Sequence, residues 1–276
     1  SFRPDIQREA DLAEEVARFY GYNNIEATLL SGKTSTQGKK SHKQRIEDII
    51  KNTMIACGLN ETYTYSFTSP KVFDMLKLPK ESDLRKALEI SNPLGEDYSI
   101  MRTTTIPDML EVISTNYNRR VEEGRFFEMS YVYLPHKLPL EDLPEEKHVL
   151  TLGMYGNTDF FEIKGIVEDL FDVLHITDYE IVPERDNASF HPGRTASVLI
   201  KGEKIGTIGE IHPDVAENFE VPERTYVGVL DINKIIENSV LVVEFKALPK
   251  FPAVTRDIAM LVDENILVKQ IEDIIV

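Results

Sequence analysis

Four carboxylates near the start of the chain, Asp5, Asp11, Glu14 and Glu15, form its sharpest set of potential ligands. Asp11, Glu14 and Glu15 stand at i, i+3 and i+4, so a helix presents all three on one face. Asp5 lies just upstream and can fold back onto that face. Hard oxygen donors in such a cluster suit Mg²⁺, which keeps several of its own waters. The same acids also suit a first helical turn that binds nothing, because the helix dipole favours negative charge there.

Two further groups carry polar chemistry. One runs from His191-Pro192-Gly193-Arg194 to Glu210-Ile211-His212-Pro213. Its two histidines are far apart and lack the spacing of metal ligands, and the Pro and Gly residues more simply set turns. The other is Met101-Arg102-Thr103 with Arg125-Phe126-Phe127-Glu128. An arginine near a glutamate can grip a phosphate or an amino group, or it can tie two strands together as an ion pair. No GxxxxGK[ST] loop, no GxGxxG after a strand and no GxSxG elbow is present. Cys57 ends an apolar helical run, Met54-Ile55-Ala56-Cys57-Gly58, and reads as core rather than nucleophile.

These residues need elements to position them. Leu12, Val16, Phe19 and Tyr20 recur at helical spacing, which predicts a helix from Glu9 to Tyr20 ended by Gly21. Thr28 to Lys40 lacks periodicity and reads as a linker. Ser41-His42-Lys43-Gln44 has the form of a capping box, and Ile46, Ile49, Ile50 and Met54 continue as a helical stripe. Strands are expected over Thr62–Phe67, Ala87–Ile90, Arg125–Leu134, Val149–Tyr155 and Tyr226–Asp231. A hairpin is expected around Lys201-Gly202-Glu203-Lys204. Helices are expected from Pro107 to about Asn118, over Phe160–Leu174 and after Pro213. The tail reads as a strand, Asp257–Val262, followed by a helix from about Val268. Runs of strands broken by a few helices predict an α+β fold around a mainly antiparallel sheet.

Composition narrows the function classes. The 276 residues exceed one average domain. With 47 acidic and 31 basic residues the formal net charge is −16, which repels phosphate over most of the surface. The run Gly38 to Arg45 is the one dense basic stretch. One cysteine excludes an internal disulfide framework and fits a reducing cytosol. No stretch has the roughly 20 apolar residues of a membrane span. Both ends fall inside patterned segments, so the chain reads as a fragment of a longer one.

Arg3-Pro4-Asp5, followed by the string from Ala10 to Ile25 (ADLAEEVARFYGYNNI), resembles a segment of phenylalanine–tRNA ligase beta subunits of the bacterial type. Asn92-Pro93-Leu94 with Met101-Arg102-Thr103, then Arg125-Phe126-Phe127-Glu128, then His191-Pro192-Gly193-Arg194 through Glu210-Ile211-His212-Pro213 resemble that family in the same order. Phe251-Pro252-Ala253-Val254-Thr255-Arg256-Asp257-Ile258-Ala259 resembles the opening of its ferredoxin-like anticodon-binding domain.

The resemblance implies a division of the chain. Residues 1–27 would end a Mg²⁺-binding module and 28–41 would be a linker. Residues 42–245 would form a class II aminoacyl-tRNA synthetase-like core, with antiparallel sheet and flanking helices, that lacks catalytic residues. Residues 246–276 would begin the anticodon-binding domain. It also implies an α₂β₂ holoenzyme that joins phenylalanine to tRNA(Phe) in the cytoplasm with ATP and Mg²⁺. The alpha chain would do the chemistry, and ATP would not bind this fragment. About one Mg²⁺ is implied, at Asp5, Asp11, Glu14 and Glu15. The stretch Tyr226-Val227-Gly228-Val229-Leu230-Asp231 has no glycine run and no following arginine, which departs from the ATP-binding pattern of catalytic class II enzymes. Two other functions remain open on the residues: a free-standing class II-like amino-acid-adenylating enzyme, and a tRNA-binding module.

Overall fold

The computed structural model describes residues 2–29, 31–32, 38–243, 245 and 247–275. It divides into two compact units, Ser1–Arg45 and Ile46–Val276. In the first, α1 (Glu9–Tyr20) follows the expected helix and Gly21, at φ 93°, ends it. A positive φ costs a β-carbon dearly and glycine little. The apolar stripe of α1, with Leu12, Val16 and Phe19, is exposed. Residues 30 and 33–37 of the expected linker lie outside the described residues; the flanking positions 26–29, 31–32 and 38–40 carry no helix or strand.

The capping box at Ser41 forms. Ser41 N donates to Gln44 Oε1 at 2.8 Å, and Gln44 N donates to Ser41 Oγ at 3.2 Å. It opens α2 (His42–Ala56), whose Ile46, Ile50 and Met54 are fully buried at a spacing of four.

The second unit is built on a seven-stranded sheet. Its strands are β1 (Asn60–Glu61), β4 (Gly124–Leu134), β5 (Glu145–Tyr155), β6 (Tyr179–Pro183), β7 (Phe190–Ile200), β8 (Glu203–Ile211) and β9 (Tyr226–Asp231). The order is β1-β4-β5-β9-β8-β7-β6. Only β1 runs parallel to its neighbour; the other pairs are antiparallel. A small antiparallel pair, β2 (Phe67–Thr68) and β3 (Ile100–Met101), stands apart from it. Lys201 and Gly202, at φ 51° and 77°, make the tight turn between β7 and β8. Two positive φ values match the twist of the flanking strands.

Period-2 alternation puts apolar residues on both faces of the sheet. Phe127, Leu150, Leu152, Val198 and Leu230 meet α2, α5 (Phe160–Val173) and α7 (Ile232–Asn238) in one cluster. Phe126, Tyr155, Phe190, Ile211 and Val227 meet α3 (Val72–Met75), α4 (Ile106–Asn118) and α6 (Pro213–Asn218) in another. The fold is therefore α+β with a mostly antiparallel sheet carrying helices on each side.

Three expected strands are corrected. Within Thr62–Phe67 only β1 just before and the start of β2 lie in ladders. Thr62 N still donates to Phe127 O at 2.8 Å, but the carbonyl of Tyr65 is taken by the Arg102 side chain and that of Ser66 by the Arg102 backbone N. Over Ala87–Ile90 there is a single bridge, Glu89 to Ile100. Asp257–Val262 forms no strand: its residues join no ladder among the described residues, and Ile258 and Leu261 are exposed. The helix that follows, α8 (Val268–Ile275), is present. No helix among the described residues is long and apolar enough to cross a membrane.

Candidate functional site

Asp11, Glu14 and Glu15 lie on α1 as the spacing requires, yet three of the four carboxylates are engaged locally. Arg3 Nη2 reaches Asp5 Oδ2 at 2.7 Å and Glu15 Oε1 at 3.3 Å. Glu15 also takes Arg18 Nη2 at 2.7 Å. The Arg3 guanidinium holds the Asp5 carboxyl below the usual carboxylate range, and Arg18, with Arg3 behind it, does the same for Glu15. Asp11 Oδ2 accepts from the backbone N–H groups of Gln7 and Arg8 at 2.8 and 2.7 Å, capping the start of α1. The donor types fit Mg²⁺. As placed here, Arg3 is the cation that Asp5 and Glu15 share, and no group of three or more His, Cys, Asp or Glu that could hold a metal ion is found among the described residues.

The histidines serve the backbone. His191 Nδ1 accepts from Gly193 N at 3.0 Å, and His212 Nδ1 accepts from Asp214 N at 3.1 Å, capping α6. Arg194 Nη1 forks onto both oxygens of the buried Glu210, at 2.7 and 2.9 Å. Tyr226 donates its hydroxyl to Glu210 Oε2 at 2.9 Å, and burial together with that carboxylate pushes the phenol up to about 12. The thiol of Cys57 is raised, first by burial and then by Asp169, so it is a poor nucleophile.

The polar centre of the second unit is Arg102, which is 1% exposed. Its Nε donates to Tyr131 O at 2.9 Å. Nη1 donates to Thr64 Oγ1 at 2.8 Å, Asp108 Oδ2 at 3.0 Å and Tyr65 O at 3.2 Å, and Nη2 to Glu128 Oε1 at 3.3 Å. Thr64 in turn donates its hydroxyl to the Glu128 carboxylate, whose oxygens lie at 2.8 and 2.9 Å. Arg102 thus joins β3, β4, α4 and the segment after β1. One cation serves two buried carboxylates. Burial outweighs Arg102 at Asp108 and pushes that carboxyl up to about 7. Arg125 pairs instead with Glu162 of α5, Nε to Oε1 at 2.7 Å. The Arg–Glu tie between strands was readable in the sequence as one option; Asp108 and Thr64 as its partners were not, because no local spacing links them.

Asp108 also lines a cavity of about 570 Å³ between α4 and the segment that follows β1. Tyr63, Tyr65, Phe67 and Tyr98 form its aromatic walls, and Glu111 stands there with Asp108. Sequence reading had no signal for it, since its walls come from three separate stretches.

Comparison with known proteins gives a consistent picture. The family described as phenylalanyl tRNA synthetase beta chain CLM domain matches residues 25–232, and the tRNA synthetase B5 domain matches residues 1–22. The chain is 48% identical over 275 residues to the phenylalanine–tRNA ligase beta subunit of Clostridium acetobutylicum and 46% identical to that of Clostridium tetani. All of this chain and 34% of each relative are covered, so the chain spans about a third of the length of these curated relatives. Among solved structures, a pyrrolysyl-tRNA synthetase from Desulfitobacterium hafniense shares the fold at a TM-score of 0.58 and 12% identity, over 70% of this chain and 68% of that one. A second structure of that synthetase gives 0.56 and 14%, over 70% and 64%.

Proposed function

We infer the function of this chain from its family: it belongs to the phenylalanyl-tRNA synthetase beta chains. We propose that its core is the class II synthetase-like, non-catalytic part of a beta subunit. In this reading it packs against a catalytic alpha subunit in an α₂β₂ ligase of the cytoplasm. That assembly charges tRNA(Phe) with phenylalanine, and ATP is used at the alpha chain's site. The division into 1–27, 28–41, 42–245 and 246–276 belongs to this reading.

The observation that carries it is the filled second face of the sheet. Met109, Leu110 and Ile113 of α4 and Val215 of α6 pack there against Phe190 and Ile211. An adenylating site needs open, polar space over its sheet, and close-packed side chains leave none at these positions. A free-standing adenylating enzyme fits this packing poorly, and a tRNA-binding module fits the net charge of −16 poorly.

Magnesium belongs to the same reading, at Asp5, Asp11, Glu14 and Glu15. Arg3 must first leave Asp5 and Glu15. The heat of Mg²⁺ titration should therefore rise in Arg3→Ala and vanish in Asp11→Ala; identical heats in both variants and wild type reject the site.

The assembly is tested by co-expression with a candidate alpha chain followed by sizing. Co-elution in one heteromeric peak is expected. Separate elution of two folded chains would sink the proposal.

A further inference from the structure

The cavity beside Asp108 has walls that combine tyrosines with acidic side chains. Thr62 and Thr64 turn inward, onto Phe127 O and Glu128. Tyr63 and Tyr65, between and beyond them, turn outward and are 95% and 69% exposed. They lie along the edge of the sheet that begins with β1. Tyr98 meets Tyr65 edge to face with ring centroids 6.1 Å apart, which fixes one wall. On the α4 side, Asp108 and Glu111 stand one turn apart.

The charges here are unbalanced. Asp108 shares Arg102 with Glu128. Glu111 makes no ion pair or hydrogen bond among the described residues. It is open to solvent at the rim, yet local burial, and then Asp97 nearby, raise its carboxyl. Electron-rich ring faces and the unpaired Glu111 carboxylate around one hollow attract a cation. A guanidinium suits both at once, because it is flat enough to stack on tyrosine and forks onto a carboxylate. Exposed tyrosines around a hollow are also the composition of protein contact sites.

We propose that this cavity is the seat of an arginine side chain presented by a protein partner, with the guanidinium between the Tyr65 ring and the Glu111 carboxylate. The partner's identity rests on the assembly reading above; the preference for a guanidinium rests on the cavity alone.

The test uses the chain by itself, with N-acetyl-arginine amide as probe and amide NMR shifts as readout. Its neutral isostere, N-acetyl-citrulline amide, is the control. Saturable shifts are expected at residues 63–67, 98 and 108–116, with binding at least five-fold weaker for citrulline, for Glu111→Gln and for Tyr65→Ala. Both substituted side chains are solvent-facing, so each variant should keep the wild-type spectrum elsewhere. Equal shifts from both probes, shifts at other positions, or no loss in Glu111→Gln would overturn the proposal. If the probe binds as expected while sizing shows no complex with the alpha chain, the assembly reading fails and this one stands. If the complex forms and the probe does not bind, the reverse holds.

Discussion

Arg102 is the residue on which most of the polar interior depends. It is buried with two carboxylates, and removing one member of such a set strands the others without compensation, at about 3–5 kcal/mol. Arg102→Met keeps much of the volume but leaves Asp108 and Glu128 facing each other. It should lower the midpoint of urea unfolding by an amount in that range, and an unchanged midpoint would show that the network is not stabilising. Asp108→Asn acts the other way. The folded-state carboxyl is raised from 3.8 to about 7, so its contribution is fully present below the unfolded value and is lost as pH climbs through about 7. Arg102, Glu128 and Glu111 are the charged groups around it. The unfolding free energy of wild type minus Asp108→Asn should therefore fall between pH 4 and pH 7 and level off above that. A difference that is flat across this range would reject the assigned burial effect. The sequence offered an Arg–Glu tie in this group as one option, without fixing which arginine makes it; Glu128 lies in β4 and Arg102 directly follows β3. Asp108 stands in the first turn of α4, where acids are ordinary. Nothing local distinguishes an acid that turns inward from one that faces water.

At the scale of elements, long and regular patterns were readable and short ones were not. α1 and β9 match their expected spans, and α4 and α5 do so within one residue, because period and caps agree there. β5 is four residues longer than its apolar run, starting at Glu145 rather than Val149. Its polar start is held by the ladder with β4, Leu134 opposite Glu145, which no local propensity reveals. β6 passed unnoticed since it is an edge strand whose residues are only partly buried. Thr62–Phe67 failed for the opposite reason: its alternation is that of a strand, but Arg102 competes for its carbonyls. The closeness of β7 and β8 makes a specific demand. A β-carbon on Gly209 would lie 2.7 Å from Arg194 O and 2.8 Å from Thr195 Cα, where the β7–β8 register resumes after a shift. These are backbone atoms that cannot rotate away. Gly209→Ala should cost about 1–3 kcal/mol through overpacking, read as a lower urea midpoint with an unchanged slope. Gly165 on α5 has nothing near its missing β-carbon, so Gly165→Ala should not destabilise and serves as the control. Equal midpoints for the two variants would refute the close-approach argument.

At the scale of the whole molecule, the question is whether a synthetase-like fold can still catalyse. Adenylation needs an arginine free to meet the triphosphate, and space over the sheet to align it with the attacking carboxylate. Arg102 is one of the two arginines that the sequence offered for gripping a phosphate. It is committed to Tyr131, Thr64, Tyr65, Asp108 and Glu128, and freeing it would strand two buried acids. One face of the sheet is filled by α4 and α6 side chains, which leave no open polar space there. A formal charge of −16 adds a repulsive field against a polyanion. Each of these acts on ground-state binding before any chemistry, so the deficit should appear as absence of nucleotide binding rather than as slow turnover. The chain alone should give no heat with ATP and no phenylalanine-dependent pyrophosphate exchange above a buffer blank. Exchange should appear when an alpha chain is added and should track the alpha chain's concentration once this chain is in excess. Exchange by the purified chain alone, persisting through a second purification, would remove the basis for reading it as a scaffold. Exchange that stays absent in a mixture whose two chains co-elute would place the missing chemistry outside both of them.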